Sequence, residues 1–136
     1  MRRCKERYEE SGSPLYAKII AGMYRDGKGA PKDMDKAVRW IKKVADADEV
    51  EGKAAYYEFL VSTDVPEYHA EAMRECMKQH EAGGPPVYCA LISRMYRDGK
   101  GVKKSIDKAI EWMERAYMED PKAWYSEFNA LLSMNQ

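Results

Sequence analysis

Apolar residues along this chain recur at helical spacing, and no stretch alternates as a half-buried strand would. Tyr16, Ile19, Ile20, Met23 and Tyr24 follow the i, i+3, i+4, i+7, i+8 series that lines one face of an α-helix. The same series returns at Tyr88, Leu91, Ile92, Met95 and Tyr96. A second kind of stripe runs through Ala37, Trp40, Ile41 and Val44, and again through Ala109, Trp112, Met113 and Ala116. Gly27 and Gly29 stand just past the first stripe, where a residue free to take positive φ closes the last helical carbonyls. Asp33 and Ser105 open the second stripes with oxygens suited to an N-cap. The pattern predicts helices at about 14–25, 33–46, 53–62, 67–82, 86–97, 105–118 and 121–134. Residues 2–10 read as one more, the remnant of a preceding second helix.

The stripes belong to a repeat. Met-Tyr-Arg-Asp-Gly-Lys-Gly occurs at Met23–Gly29 and at Met95–Gly101, a shift of 72 residues. Pro14, Tyr16 and Ile20 pair with Pro86, Tyr88 and Ile92 at the same shift. Downstream, Lys32, Asp35, Lys36, Ala37 and Trp40 pair with Lys104, Asp107, Lys108, Ala109 and Trp112. The shift is twice 36, which implies a worn unit between two good ones. Tyr16, Tyr56, Tyr88 and Trp124 then mark successive first helices, spaced by 40, 32 and 36. The units run at about 14–49, 50–84 and 85–119, with a half unit at 120–136. The middle one carries extra residues around Asp48–Gly52 and turns through Thr63–Pro66 without glycine. A hairpin of this size cannot bury its apolar face alone, so neighbours must stack. The expected fold is an all-α solenoid of three to three and a half antiparallel helix pairs, with first helices lining one surface.

Composition narrows the function classes. Lys plus Arg number 23 and Asp plus Glu 23, so the formal charge is zero. That balance excludes a nucleic-acid binder held by bulk phosphate electrostatics and adhesion to an anionic membrane. A mean hydropathy of −0.71 beside 45% hydrophobic residues is too polar for a membrane protein and too apolar for a disordered tail. Cys4, Cys76 and Cys89 are odd in number and irregularly spaced, which reads as reduced thiols in a cytoplasmic protein. The opening residues hold no apolar run of a secretory signal, and no stretch is apolar enough to span a bilayer.

The repeated blocks resemble the Sel-one-like repeat family, relatives of the tetratricopeptide repeat. The matching residues are Tyr16, Ile20, Ala21, Met23, Tyr24, Gly27, Gly29, Ala30, Asp33, Lys36, Ala37, Trp40, Lys43, Val44 and Ala45. The later copy matches through Met95, Tyr96, Gly99, Gly101, Val102, Lys108, Ala109, Trp112, Arg115 and Ala116. The resemblance covers residues 14–45 and 86–117 and implies a right-handed superhelix of helix pairs serving as a protein-interaction scaffold. Tyr16 and Tyr88 stand where the family usually has a small alanine, which implies looser or rearranged packing between repeats. Three cysteines cannot supply the disulfide in every hairpin that some secreted members carry.

Candidate chemistry is sparse. Gly22–Lys28 spells the G-x-x-x-x-G-K of a phosphate loop, but Gly29 sits where a metal-binding hydroxyl belongs. Asp26 would also oppose the anion, and the later copy has Arg94 in place of Gly22. Cys76 and His80 have metal-ligand spacing without enough further ligands for zinc. As a nucleophile pair they lack an orienting group, which leaves a cysteine-dependent hydrolase as the third choice of function. Trp40, Trp112, Met23 and Met95 read as core, not as a ligand box. No catalytic, cofactor or metal residue is assigned.

The leading expectation is a protein–protein interaction scaffold or adaptor that binds a peptide or helix on its concave face. The second is a regulatory or targeting segment of a larger enzyme. Opposite the stripes on the first helices lie Lys18, Gly22 and Arg25, then Glu58 and Ser62, Ala90, Arg94 and Arg97, and Ser126 and Ala130. From these, Lys18, Arg25, Glu58, Arg94, Arg97 and Ser126 are the candidate partner-binding residues. Basic runs at Arg39, Lys42 and Lys43, and from Arg94 to Lys104, offer docking for an acidic peptide if they are more than solvated faces. The last helix carries Trp124, Phe128, Leu131 and Leu132 with no second helix to cover them, pointing to a homodimer or a longer array.

Overall fold

Eight helices and no strand make up the described residues, 1–135, of the computed structural model. They are α1 (Arg2–Ser11), α2 (Pro14–Asp26), α3 (Met34–Ala47), α4 (Glu51–Ser62), α5 (Pro66–Glu81), α6 (Val87–Asp98), α7 (Ile106–Glu119) and α8 (Pro121–Met134). The chain divides into two compact units, Met1–Phe59 and the part from Leu60 onward.

Short side chains start the helices. Asp33 Oδ1 accepts the Lys36 N–H at 3.1 Å, and Ser105 Oγ accepts the Lys108 N–H at 3.2 Å, so equivalent second helices begin alike. Asp48 Oδ1 takes the N–H groups of Val50 and Glu51 at 2.9 and 2.8 Å. Those backbone bonds, Glu51 first, hold its carboxyl below the usual range. Only residues 48–50 form the turn here: α4 begins at Glu51 and Gly52 is buried in its first turn. A Cβ on Gly52 would lie 2.1 Å from the Val44 carbonyl oxygen, so α3 and α4 touch through backbone there.

In the first unit, α2 packs on α1 and α3 and buries Ala17, Ile20, Ala21 and Tyr24. Ala37, Ile41 and Val44 face them from α3. The second unit centres on α6, which packs on α5 and α7. One cluster joins Cys89 and Ala90 to Ala109, Met113, Ala116 and Leu131, flanked by Trp112, Trp124 and Phe128.

Two expectations change here. Trp124, Phe128 and Leu131 are not an uncovered stripe: they pack against the hairpin of α6 and α7, leaving only Leu132 of that set exposed. Ala90, expected on the open face, is fully buried, in one core cluster with Leu131 of α8.

Candidate functional site

The two good repeats build the same substructures twice. Gly27 and Gly99 both take φ of 71°, and their N–H groups bond the carbonyls of Met23 and Met95. Lys28 N and Lys100 N then bond those same carbonyls at 3.0 and 2.9 Å. The Arg25 guanidinium grips Asp26 at 2.9 and 3.1 Å, and Arg97 grips Asp98 at 2.9 and 3.0 Å. These contacts hold both carboxyls below their ordinary value. Gly22–Lys28 is thus a helix C-terminus, presenting carbonyls where a phosphate loop must present amides.

On the other helices the correspondence extends beyond identical letters. Tyr8 meets the Trp40 ring edge-on at 5.3 Å, and His80 meets Trp112 edge-on at 4.9 Å. Lys43 lies over Trp40 at 5.3 Å and Arg115 over Trp112 at 4.2 Å. Lys36 and Lys108 lie over Tyr24 and Tyr96 at 5.7 and 5.6 Å. Helix α1 therefore meets α3 as α5 meets α7, in keeping with its reading as a second helix. Tyr8 and His80 share no letter, which is why sequence comparison passed over them.

One ring of each pair, Trp40 in the first unit and His80 in the second, lines an open groove. The groove in the first unit, about 520 Å³, is lined by Lys5, Lys36, Arg39, Lys42 and Lys43 with Asp46. That in the second, about 510 Å³, is lined by Glu111, Glu114, Arg115 and Glu119 beside His80 and Cys89.

The thiols are unsuited to nucleophilic work. Cys76 is fully buried, and burial pushes its pKa up to about 12. His80 turns Nδ1 not to Cys76 but to Cys89 Sγ, at 3.4 Å. Burial raises the Cys89 pKa as well, so neither sulfur is a thiolate at neutral pH.

The candidate partner-binding residues fall into two sets. Lys18, Glu58 and Ser126 are exposed. Arg25 lies over the Phe59 ring at 5.0 Å, and Arg94 makes two bonds to Glu127, at 2.7 and 2.8 Å. Arg94 thereby ties α6 to α8, and Arg97 is held by Asp98. In the first unit Lys18, Arg25 and Glu58 come from α2 and α4; in the second Arg94, Arg97 and Ser126 come from α6 and α8.

The Sel1 repeat family model matches residues 19–49 and 86–121. The chain is similar to the crystal structure of a Sel1 repeat protein from Oxalobacter formigenes, at 26% identity and a TM-score of 0.50. The match covers 91% of this chain and 51% of that one, so the chain spans about half that relative's length. It is also similar to the crystal structure of a protective antigen of uropathogenic Escherichia coli strains displaying an SLR fold. That match has 24% identity and a TM-score of 0.49, covering 82% of this chain and 24% of that one. No curated protein is significantly similar to the chain.

Proposed function

The chain belongs to the Sel1 repeat family, and from that premise we propose that it is a protein–protein interaction scaffold taking a peptide or helix on the face of its first helices. Sel1 repeat proteins are typically such scaffolds, and the fold here is the all-α solenoid of helical hairpins that the repeat predicts. The observation supporting the reading is how the repeated residues are used. Glycines, Arg–Asp pairs and ring pairs all serve turns and stacking, and both buried thiols are held protonated. We keep the division into units at 14–49, 50–84 and 85–119 with a half unit from 120. Of the partner-facing set, Lys18, Glu58 and Ser126 are exposed, while Arg25, Arg94 and Arg97 also brace the scaffold. Free thiols at Cys4, Cys76 and Cys89 suit the reducing cytoplasm, where we place the protein. No helix among the described residues is long and apolar enough to cross a membrane.

Photo-crosslinking tests the proposal. A photoreactive residue at Lys18, Glu58 or Ser126 should capture a common partner in the native cell, and one at exposed Lys103 should not. Capture from Lys103 alone would overturn the assignment of the first-helix face.

A further inference from the structure

We propose that the groove of the first unit, between α1 and α3, is a separate docking site for an acidic peptide. Five cations line it, Lys5, Lys36, Arg39, Lys42 and Lys43, against the single carboxylate of Asp46. Among the described residues none of the five has a carboxylate within salt-bridge distance. Their contacts are aromatic instead: Lys5 donates to the Tyr24 hydroxyl at 2.8 Å, and Lys43 lies over the Tyr8 and Trp40 rings.

The second unit supplies an internal control. Its groove is lined by His80, which meets Trp112 edge-on, and by Arg115, which lies over Trp112, but Arg39 and Lys42 are replaced there by Glu111 and Glu114. Lys36 and Lys43 have cationic counterparts in Lys108 and Arg115, so these two do not by themselves set the first groove apart. Lys5, Arg39 and Lys42 have no such counterpart: the corresponding residues are Met77, Glu111 and Glu114. The hairpin folds with either sign of charge at these positions, so stacking does not require the positive one. Positive charge on this groove, five cations against the one carboxylate of Asp46, is complementary to carboxylates.

Spacing favours a peptide over a nucleic acid. Lys36, Arg39 and Lys43 stand three and seven residues apart on one helix edge, spanning about 10 Å. Glutamates at i, i+3 or i+4, and i+7 of a partner helix match that span. Asp46 interrupts the positive lining, and a chain with no net positive charge offers no extended cationic track for a continuous phosphate backbone.

The test measures binding of a fluorescein-labelled helical peptide, with glutamates at that spacing, to the full chain by fluorescence polarisation. Arg39→Glu with Lys42→Glu copies the charges of the second unit and should retain the helical circular dichroism. It should weaken the peptide by about tenfold or more, and added salt should do the same to the native chain. Glu111→Gln with Glu114→Gln, which removes two negative charges from the other groove, should leave affinity within about twofold. Unchanged affinity in the first variant overturns the proposal. So does tighter binding of a single-stranded RNA of equal length. Salt-sensitive dimerisation of the chain, lost in the same variant, would also overturn it by giving the groove to a second copy.

Discussion

Arg94 holds Glu127 through two parallel hydrogen bonds, and the pair adds a polar tie between α8 and α6, the first helix of the preceding hairpin. Both side chains are about a quarter exposed, so the bond is screened less than a surface pair. Glu127→Gln should cost about 1 kcal/mol of unfolding free energy in urea. Arg94→Glu, which faces one acid with another, should cost about 2 kcal/mol. Adding Glu127→Arg to the latter should restore part of the loss. Equal stability of all three variants would show the pair to be idle.

Gly29 and Gly101 occupy equivalent positions with φ of 78° and 76°, so alanine pays a similar conformational cost of about 1 kcal/mol at each. Their surroundings differ. A Cβ on Gly29 meets the flexible end of Met23 at 3.3 Å, whereas one on Gly101 meets the His69 carbonyl oxygen at 2.8 Å. Gly101→Ala should therefore lower stability by about 3 kcal/mol and Gly29→Ala by about 1 kcal/mol, read as thermal midpoints. Gly52→Ala, with backbone at 2.1 Å, should be the most damaging of the three.

Acid should loosen the Arg–Asp clasps. The hydrogen bond from Arg97, offset by some desolvation, lowers the Asp98 carboxyl from its ordinary 3.8. A lowered folded pKa means that the contribution is whole above about pH 4 and fades as pH falls through the folded value. Asp98→Asn should thus be less stable than the native chain at neutral pH, by under about 1 kcal/mol after solvent screening. The gap should close in urea titrations carried below pH 3.8, and Asp26 follows the same sign. A gap that widens in acid would contradict the clasp.

Thiol labelling should separate the three cysteines. Cys4 is partly exposed, while Cys76 and Cys89 are buried with raised pKa values. At pH 8 one equivalent should react quickly with a thiol reagent and vanish in Cys4→Ser. The other two should react only as the chain opens. Fast labelling of Cys76 in the folded chain would refute its burial.

Helix positions were legible because a period of 3.6 over a dozen residues is hard to mimic, and all eight predicted segments are helices to within a few residues. Exposure was less legible. Ile19 and Leu91 hold the same place in the same stripe, yet Ile19 is 40% exposed and Leu91 2%. Period reports which side of a helix is apolar, not whether a neighbour covers it. Ala90 and Lys18 show the same limit: they hold equivalent places, yet Ala90 is buried in a cluster that includes Leu131 of α8 and Lys18 is exposed. The ring pair of His80 and Trp112 was hidden for another reason: its counterpart is a tyrosine, and chemistry is shared where the letter is not.

The middle turn has no glycine to close it, and its carbonyls are met by three borrowed groups. Thr63 Oγ1 donates to Leu60 O at 2.8 Å, His69 Nε2 sits 2.6 Å from Thr63 O, and Lys100 Nζ reaches Val61 O at 2.9 Å. Lys100 comes from the next hairpin's intact turn. The turn between α4 and α5 is thus held in part by the turn after α6, so a change at Lys100 in one turn is felt in the other. Excising or shuffling single hairpins from this array should break the donor along with the recipient.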